Sequence, residues 1–186
     1  MRKLLFAAVI GGSLLVALVA GSFAVAKNGN GGSKARAHLE GYSETPSIST
    51  LARGEFRAKI NKQSNTIDYT LTYSGIEGVA ANVAHIHLGQ RHTAGGVSAF
   101  LCGGGDKPPC PPISGSVTGI IDALDVVGPI PQGILATEMA ELIRAIKAGA
   151  TYVNVHSTTY PNGEIRGQIN AGGGDDDDDD DGDGDD

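Results

Sequence analysis

The stretch AHIHLGQRH, residues 84–92, holds three of the five histidines in the chain, and a fourth, His156, closes TYVNVHS. In an extended strand residues i and i+2 point to one side of the sheet, so His85 and His87 stand side by side. In NVAHIHLG, Ala84, Ile86 and Leu88 share the face suited to a core, and Val83, His85 and His87 share the other. In TYVNVHS, Val153 and Val155 face inward and leave Tyr152, Asn154 and His156 together. In GEIRGQIN, Ile165, Gly167 and Ile169 leave Glu164, Arg166 and Gln168 opposite them. If the two histidine-bearing strands approach each other, His85, His87 and His156 form one cluster. Three neutral imidazoles suit Cu(II) or Zn(II), both of which bind histidine nitrogen. The alternative is an ion-free polar network, in which Asn154, Glu164, Arg166 and Gln168 hydrogen-bond with the imidazoles and fix strand register. In that network Glu164 and Arg166, two apart on one strand, are placed for a local ion pair. His92, beside Arg91 in a loop, is expected to face solvent, and His38 lies in the first strand.

The elements that must position these groups read as short strands punctuated by turn residues. ARAHLEG alternates apolar and polar. GEFRAKINKQSNTIDYTLTYSG offers two strands about Gln63, Ser64 and Asn65, with Ile67, Tyr69, Leu71 and Tyr73 on one face of the second. NVAHIHLG, GVSAFLCGG and GSVTGIIDA follow. ATYVNVHS and GEIRGQIN are joined by TTYPNG, a hairpin connection. One segment breaks the pattern: ATEMAELIRAIKAG places Met139, Leu142, Ile143 and Ile146 at helical spacing, with Thr137 as the expected N-cap and Gly149 as the stop. Many strands and one helix imply an all-β sandwich or Greek-key barrel with one short α-helix.

Both ends differ from this core. Residues 1–26 carry Arg2 and Lys3, then no charge from Leu4 to Ala26, and close on Ala24-Val25-Ala26, the pattern of a cleaved signal peptide. The apolar run is also long enough for an uncleaved membrane anchor. Either reading exports the rest of the chain, to the periplasm, the cell surface or the extracellular space, and only the anchor involves a membrane. Residues 27–33 read as a flexible Gly-rich linker, 34–170 as the folded domain and 171–186 as a disordered polyaspartate tail. The net charge of −7 belongs to that tail, which holds ten of the 21 acidic residues; residues 27–174 carry 12 Lys or Arg against 11 Asp or Glu. The tail reads first as a solvated solubility segment; the sharper alternative makes Asp175, Asp176, Asp177, Asp178, Asp179, Asp180 and Asp181 a diffuse cation-binding tail, able to gather calcium weakly or to contact a basic surface. A domain this close to neutral is a poor partner for nucleic acid. The chain has no Trp and few aromatic platforms for stacking bases. It also lacks a Gly-rich phosphate loop and a G-x-S-x-G nucleophile turn. Cys102 and Cys110, in LCGGGDKPPCPP, suit a disulfide in an exported chain, worth about 2–3 kcal/mol for so short a loop; a two-cysteine metal site is the competing reading.

AHIHLG, GVSAFLCGGG and above all AGATYVNVHSTTYPNGEIRGQI resemble the CHRD domain, a family named after chordin, and AHLEGYSETPSIST resembles the family's opening segment. The resemblance covers about Lys34 to Asn170. It implies an extracellular immunoglobulin-like β-sandwich distantly similar to copper–zinc superoxide dismutases, with no established enzymatic activity. The chain is therefore expected to be a secreted or surface-attached, non-catalytic binding or structural module. Its partner would be an extracellular protein or surface component, and copper or zinc a possible ligand of the histidines. A copper-dependent oxidoreductase is the alternative, although the full dismutase ligand set is missing: beyond the H-x-H pair there are only His156, His92 and Arg166.

Overall fold

The computed structural model describes residues 33–172. Nine strands and one α-helix are found there: β1 (Ser33–Glu40), β2 (Arg53–Asn61), β3 (Thr66–Ser74), β4 (Ala81–Leu88), β5 (Gly96–Cys102), β6 (Gly115–Ile121), α1 (Met139–Lys147), β7 (Thr151–Ser157), β8 (Ile165–Gln168) and β9 (Asn170–Gly172). All paired strands are antiparallel, in the order β5-β4-β7-β8-β1-β2-β3-β6, with β9 also paired to β1. The sheet curls until its two ends approach, which makes it a nearly closed barrel.

Alternation of side chains builds the interior. Ala35, Ala37 and Leu39 of β1, Phe56 and Ile60 of β2, and Ile67, Tyr69, Leu71 and Tyr73 of β3 are all buried, the last four being those that the sequence places on one face. The seam between β5 and β6 is bridged by connecting chain and by tyrosine hydroxyls, which give backbone carbonyls there partners. Tyr69 Oη donates to Leu101 O at 2.6 Å, Tyr73 Oη donates to Pro111 O, and Val127 N donates to Ser98 O at 2.9 Å.

The helix buries Met139, Leu142, Ile143 and Ile146, the four residues its spacing marks. Its start differs from expectation. Glu138, not Thr137, is the N-cap, and no side chain caps the helix. Thr137 has a left-handed backbone (φ 69°) and donates its N–H to Val126 O at 2.8 Å, so it belongs to the preceding turn. The stop is where the sequence places it. Gly149 is left-handed at φ 67°, with Gly149 N bonded to Ile146 O and Ala150 N to Ala145 O, both at 3.0 Å. This double closure satisfies carbonyls that a helix end otherwise exposes.

GEIRGQIN, expected as one strand, is split at Ile169, whose N–H turns to Thr151 O at 2.9 Å. The strands also overrun the expected domain edges: Ser33 pairs with Ile60, and Ala171 and Gly172 pair with Ala35 and Lys34. The export signal or anchor of residues 1–26, linker residues 27–32 and the tail from residue 173 lie outside the described residues. No helix among the described residues is long and apolar enough to cross a membrane.

Cys102 and Cys110 form a disulfide with 5.0 Å between Cα atoms. It ties the end of β5 to the chain that runs toward the seam. Replacing both cysteines with alanine should lower stability by about 2–3 kcal/mol through loop-closure entropy. A urea midpoint unchanged between this variant and the oxidised protein would refute that role.

Candidate functional site

Strands β4 and β7 pair so that His87 lies opposite Tyr152, His85 opposite Asn154 and Val83 opposite His156. The register brings three imidazoles from two strands onto one patch. Ala84 and Ile86 point the other way and are wholly buried. The histidine face is covered too, since His85, His87 and His156 are only 7–8% exposed. Phe100 of β5 meets the His85 ring edge-on with centroids 4.8 Å apart, and the loops around Gly95 and Pro161 close over the rest.

One potential ligand nitrogen from each histidine lies within 4.8 Å of the others. Two rings are oriented by backbone carbonyls: His87 Nδ1 lies 3.0 Å from Gly95 O and His156 Nδ1 2.9 Å from Pro161 O. A carbonyl only accepts, so both Nδ1 atoms carry the proton and each Nε2 presents a lone pair. His87 Nε2 is buried with no hydrogen-bond partner among the described residues. His156 Nε2 is 3.1 Å from His85 Nδ1 and 3.0 Å from Asn154 Oδ1. His85 can donate to it, but the Asn154 oxygen faces it lone pair to lone pair. The amide nitrogen is on the other side, where it and the Glu44 carboxyl lie against Gly163. The cluster therefore holds more acceptors than donors.

Burial pushes the imidazoles toward their neutral form. His85 is lowered to about 3 by desolvation and by its two neighbouring imidazoles. His87 is lowered to about 4, chiefly by desolvation, against the opposing bond to Gly95. His156 is lowered for the same first reason. Glu44 moves the other way. Burial raises its carboxyl to about 7, opposed by Arg166, the Thr45 backbone and the Asn154 amide, and its Oε1 has no hydrogen-bond partner among the described residues.

The four expected network residues separate into different roles. Asn154 joins the cluster. Arg166 does not pair with Glu164; its guanidinium lies 3.4 Å above the Tyr152 ring and donates to Gln90 O at 2.8 Å. Tyr152 in turn stacks on His87, with ring centroids 4.8 Å apart and planes 4° off parallel. Glu164 is turned away and accepts from Thr50 Oγ1, Glu77 N and Gly78 N at 3.0, 2.7 and 3.1 Å. Gln168 donates to Gly89 O and Gly149 O, tying the β4–β5 loop to the end of α1. His92 and His38 are exposed. Sequence reasoning missed Glu44, whose one signal was its place in the segment GYSETPSIST; it reaches the site from a loop, where no periodicity points.

The buried neutral histidines make stability depend on pH. Between about 6.5 and 4 the unfolded chain takes up protons at His85 and His87 that the folded chain refuses, so stability falls as pH falls, by about 1.4 kcal/mol per pH unit for each. Glu44 acts in the opposite sense: its raised folded value favours the fold in acid, and that contribution is lost as pH rises through about 7. Urea unfolding between about pH 4 and 7 should show a steeper acid loss in Glu44→Gln than in the parent and a shallower one in His85→Gln. Equal slopes for all three proteins would contradict these assignments.

The model of the CHRD domain matches residues 35–169, which run from β1 to Ile169 and include all three clustered histidines. No curated protein and no solved structure matches the chain. The match takes in well over half of the 186 residues, and the segments that carry the resemblance are the strands that carry the site. The chain belongs to the CHRD domain family.

Proposed function

We propose that this chain is an exported, non-catalytic CHRD module that holds one transition-metal ion, Cu(II) or Zn(II), on His85, His87 and His156. The observation that carries the reading is the surplus of lone pairs: three buried imidazoles converge within 4.8 Å, and the buried His87 Nε2 meets no donor among the described residues. A cation supplies what no protein donor there supplies. The carbonyl anchors on His87 and His156 are the outer contacts that commonly orient metal-binding histidines. With the His85 proton carried on Nε2 rather than Nδ1 and metal–nitrogen bonds of about 2.0–2.1 Å, the 3.1 Å gap between His85 Nδ1 and His156 Nε2 corresponds to an angle at the ion of about 100°. Two ligands of one ion can lie no farther apart than roughly 4.1 Å, so the widest pair would close by several tenths of an ångström on loading.

Arg166 argues for binding over turnover. It is 3% exposed and held by Tyr152 and Gln90 O, so it is poorly placed to meet a substrate anion as the oxidoreductase alternative requires. Export is supported by the signal-like sequence of residues 1–26 and by the disulfide. The finer fold assignment, an immunoglobulin-like or dismutase-like Greek key, is part of the same proposal. It is supported by the non-consecutive neighbours β4-β7, β8-β1 and β3-β6.

The test is titration of untagged protein with Cu(II) and Zn(II) by calorimetry, with copper spectra to count bound nitrogens. One ion per chain is expected. His87→Ala and His156→Ala should weaken binding by more than about 100-fold, beyond the effect typical of disturbing outer contacts alone. His92→Ala should bind as the parent does. Failure to take up near-stoichiometric copper or zinc, or undiminished binding by His156→Ala, would overturn the proposal. Superoxide turnover by the copper-loaded protein above that of free copper would restore the oxidoreductase reading.

A further inference from the structure

On the outer face of β1 and β2, far in character from the neutral histidine patch, the register sets Lys34 opposite Lys59 and Arg36 opposite Arg57. All four are exposed. Like charges directly opposite on antiparallel strands repel, so two such rows in succession are unfavourable for the isolated sheet. Compensation on the face itself is partial. Glu55 bonds Arg57 at 2.8 Å, and Asp68 of β3 lies opposite Lys59, where Asn61 also holds it. Lys34 and Arg36 make no ion pair among the described residues. The four cations border an open hollow of about 450 Å³.

The chain carries its own counter-charge next to this face. β9 pairs with β1 on the side away from β2, with Asn170 opposite Arg36 and Gly172 opposite Lys34. The chain thus leaves the sheet beside Lys34, and the sequence continues Gly173, Gly174, then seven aspartates from Asp175 to Asp181. Asp175 is three residues past Gly172, a reach of roughly 10 Å, and the glycine pair permits a tight reversal. Alternate side chains of an extended segment repeat at about 6.8 Å, the same spacing that separates Lys34 from Arg36 along β1.

We infer that the Asp175–Asp181 segment docks in cis on the cationic face formed by Lys34, Arg36, Arg57 and Lys59. The short tether gives the segment a high local concentration at this face, so it occupies the hollow ahead of external polyanions. The contact is electrostatic and solvent-exposed, and salt dissolves it.

Carbodiimide coupling of the full chain at low salt, with the adducts mapped by mass spectrometry, tests this directly. Tail aspartates should be joined to Lys34 or Lys59 within a monomer, exceeding adducts at the exposed Lys62 and Lys147 by roughly tenfold. The preference should vanish at about 1 M salt, where the screening length is near 3 Å. It should also vanish in an Arg36→Glu/Arg57→Glu variant. A chain ending at Gly174 should bind synthetic heptaaspartate at low salt, and the full chain should not. Equal coupling at all exposed lysines, coupling unchanged by the charge reversal, or equal peptide binding by both chains would overturn the proposal. Adducts confined to cross-linked dimers would assign the face to the tail of a second copy instead.

Discussion

A neutral imidazole offers one proton and one lone pair, and the site follows from burying three of them where two of the protons are already committed to backbone carbonyls. Gly95 and Pro161 carbonyls fix the protons of His87 and His156 on the outer side of each ring. The lone pairs must then face inward, toward one another and toward the Asn154 oxygen. Protonation would relieve the mismatch, but burial opposes it and holds His85 near 3 and His87 near 4. The arrangement thus rejects the proton and keeps its acceptors, which is the chemistry a soft or borderline metal ion requires. A polar network built only to fix register would instead match donors with acceptors.

Two buried carboxylates show the difference between a satisfied group and one held in reserve. Glu164 is fully buried and accepts from three donors, two of them backbone N–H groups at Glu77 and Gly78. Gly78 leaves no room for a side chain against Glu164 and Ser157, so its glycine is what permits that approach. This carboxylate fastens the loop before β4 onto the β7–β8 hairpin. Glu44 is nearly as buried, yet one oxygen has no donor among the described residues, and its charge is favoured chiefly by the buried Arg166. Gly163 plays for Glu44 and Asn154 the part that Gly78 plays for Glu164. The Glu44 carboxyl is thus left short of donors beside the cluster, whereas the Glu164 carboxylate is held by three.

What could be read from the sequence follows the same division between regular and irregular backbone. Period-two alternation places His85, His87, Asn154 and His156 on one side of their strands, and the register of β4 with β7 brings them together. Helical spacing marks the four buried residues of α1, and Gly149 ends it with a left-handed turn. Alternation carries no information about what covers a face. The histidine side reads as polar in sequence, but Phe100 and the loops through Glu44, Gly95 and Pro161 seal it. The expected Glu164–Arg166 pair fails for a related reason. Glu164 lies just before β8 and Arg166 within it, and each is held by partners from other elements. Here the backbone at Glu77 and Gly78 bonds Glu164, while the Tyr152 ring and Gln90 O hold Arg166. Thr137 shows the limit at a helix start, where a residue type suited to capping is diverted by a backbone bond to Val126 that only the folded loop provides. Strand pattern determines which groups can meet; loop-borne backbone donors and acceptors determine which of them do.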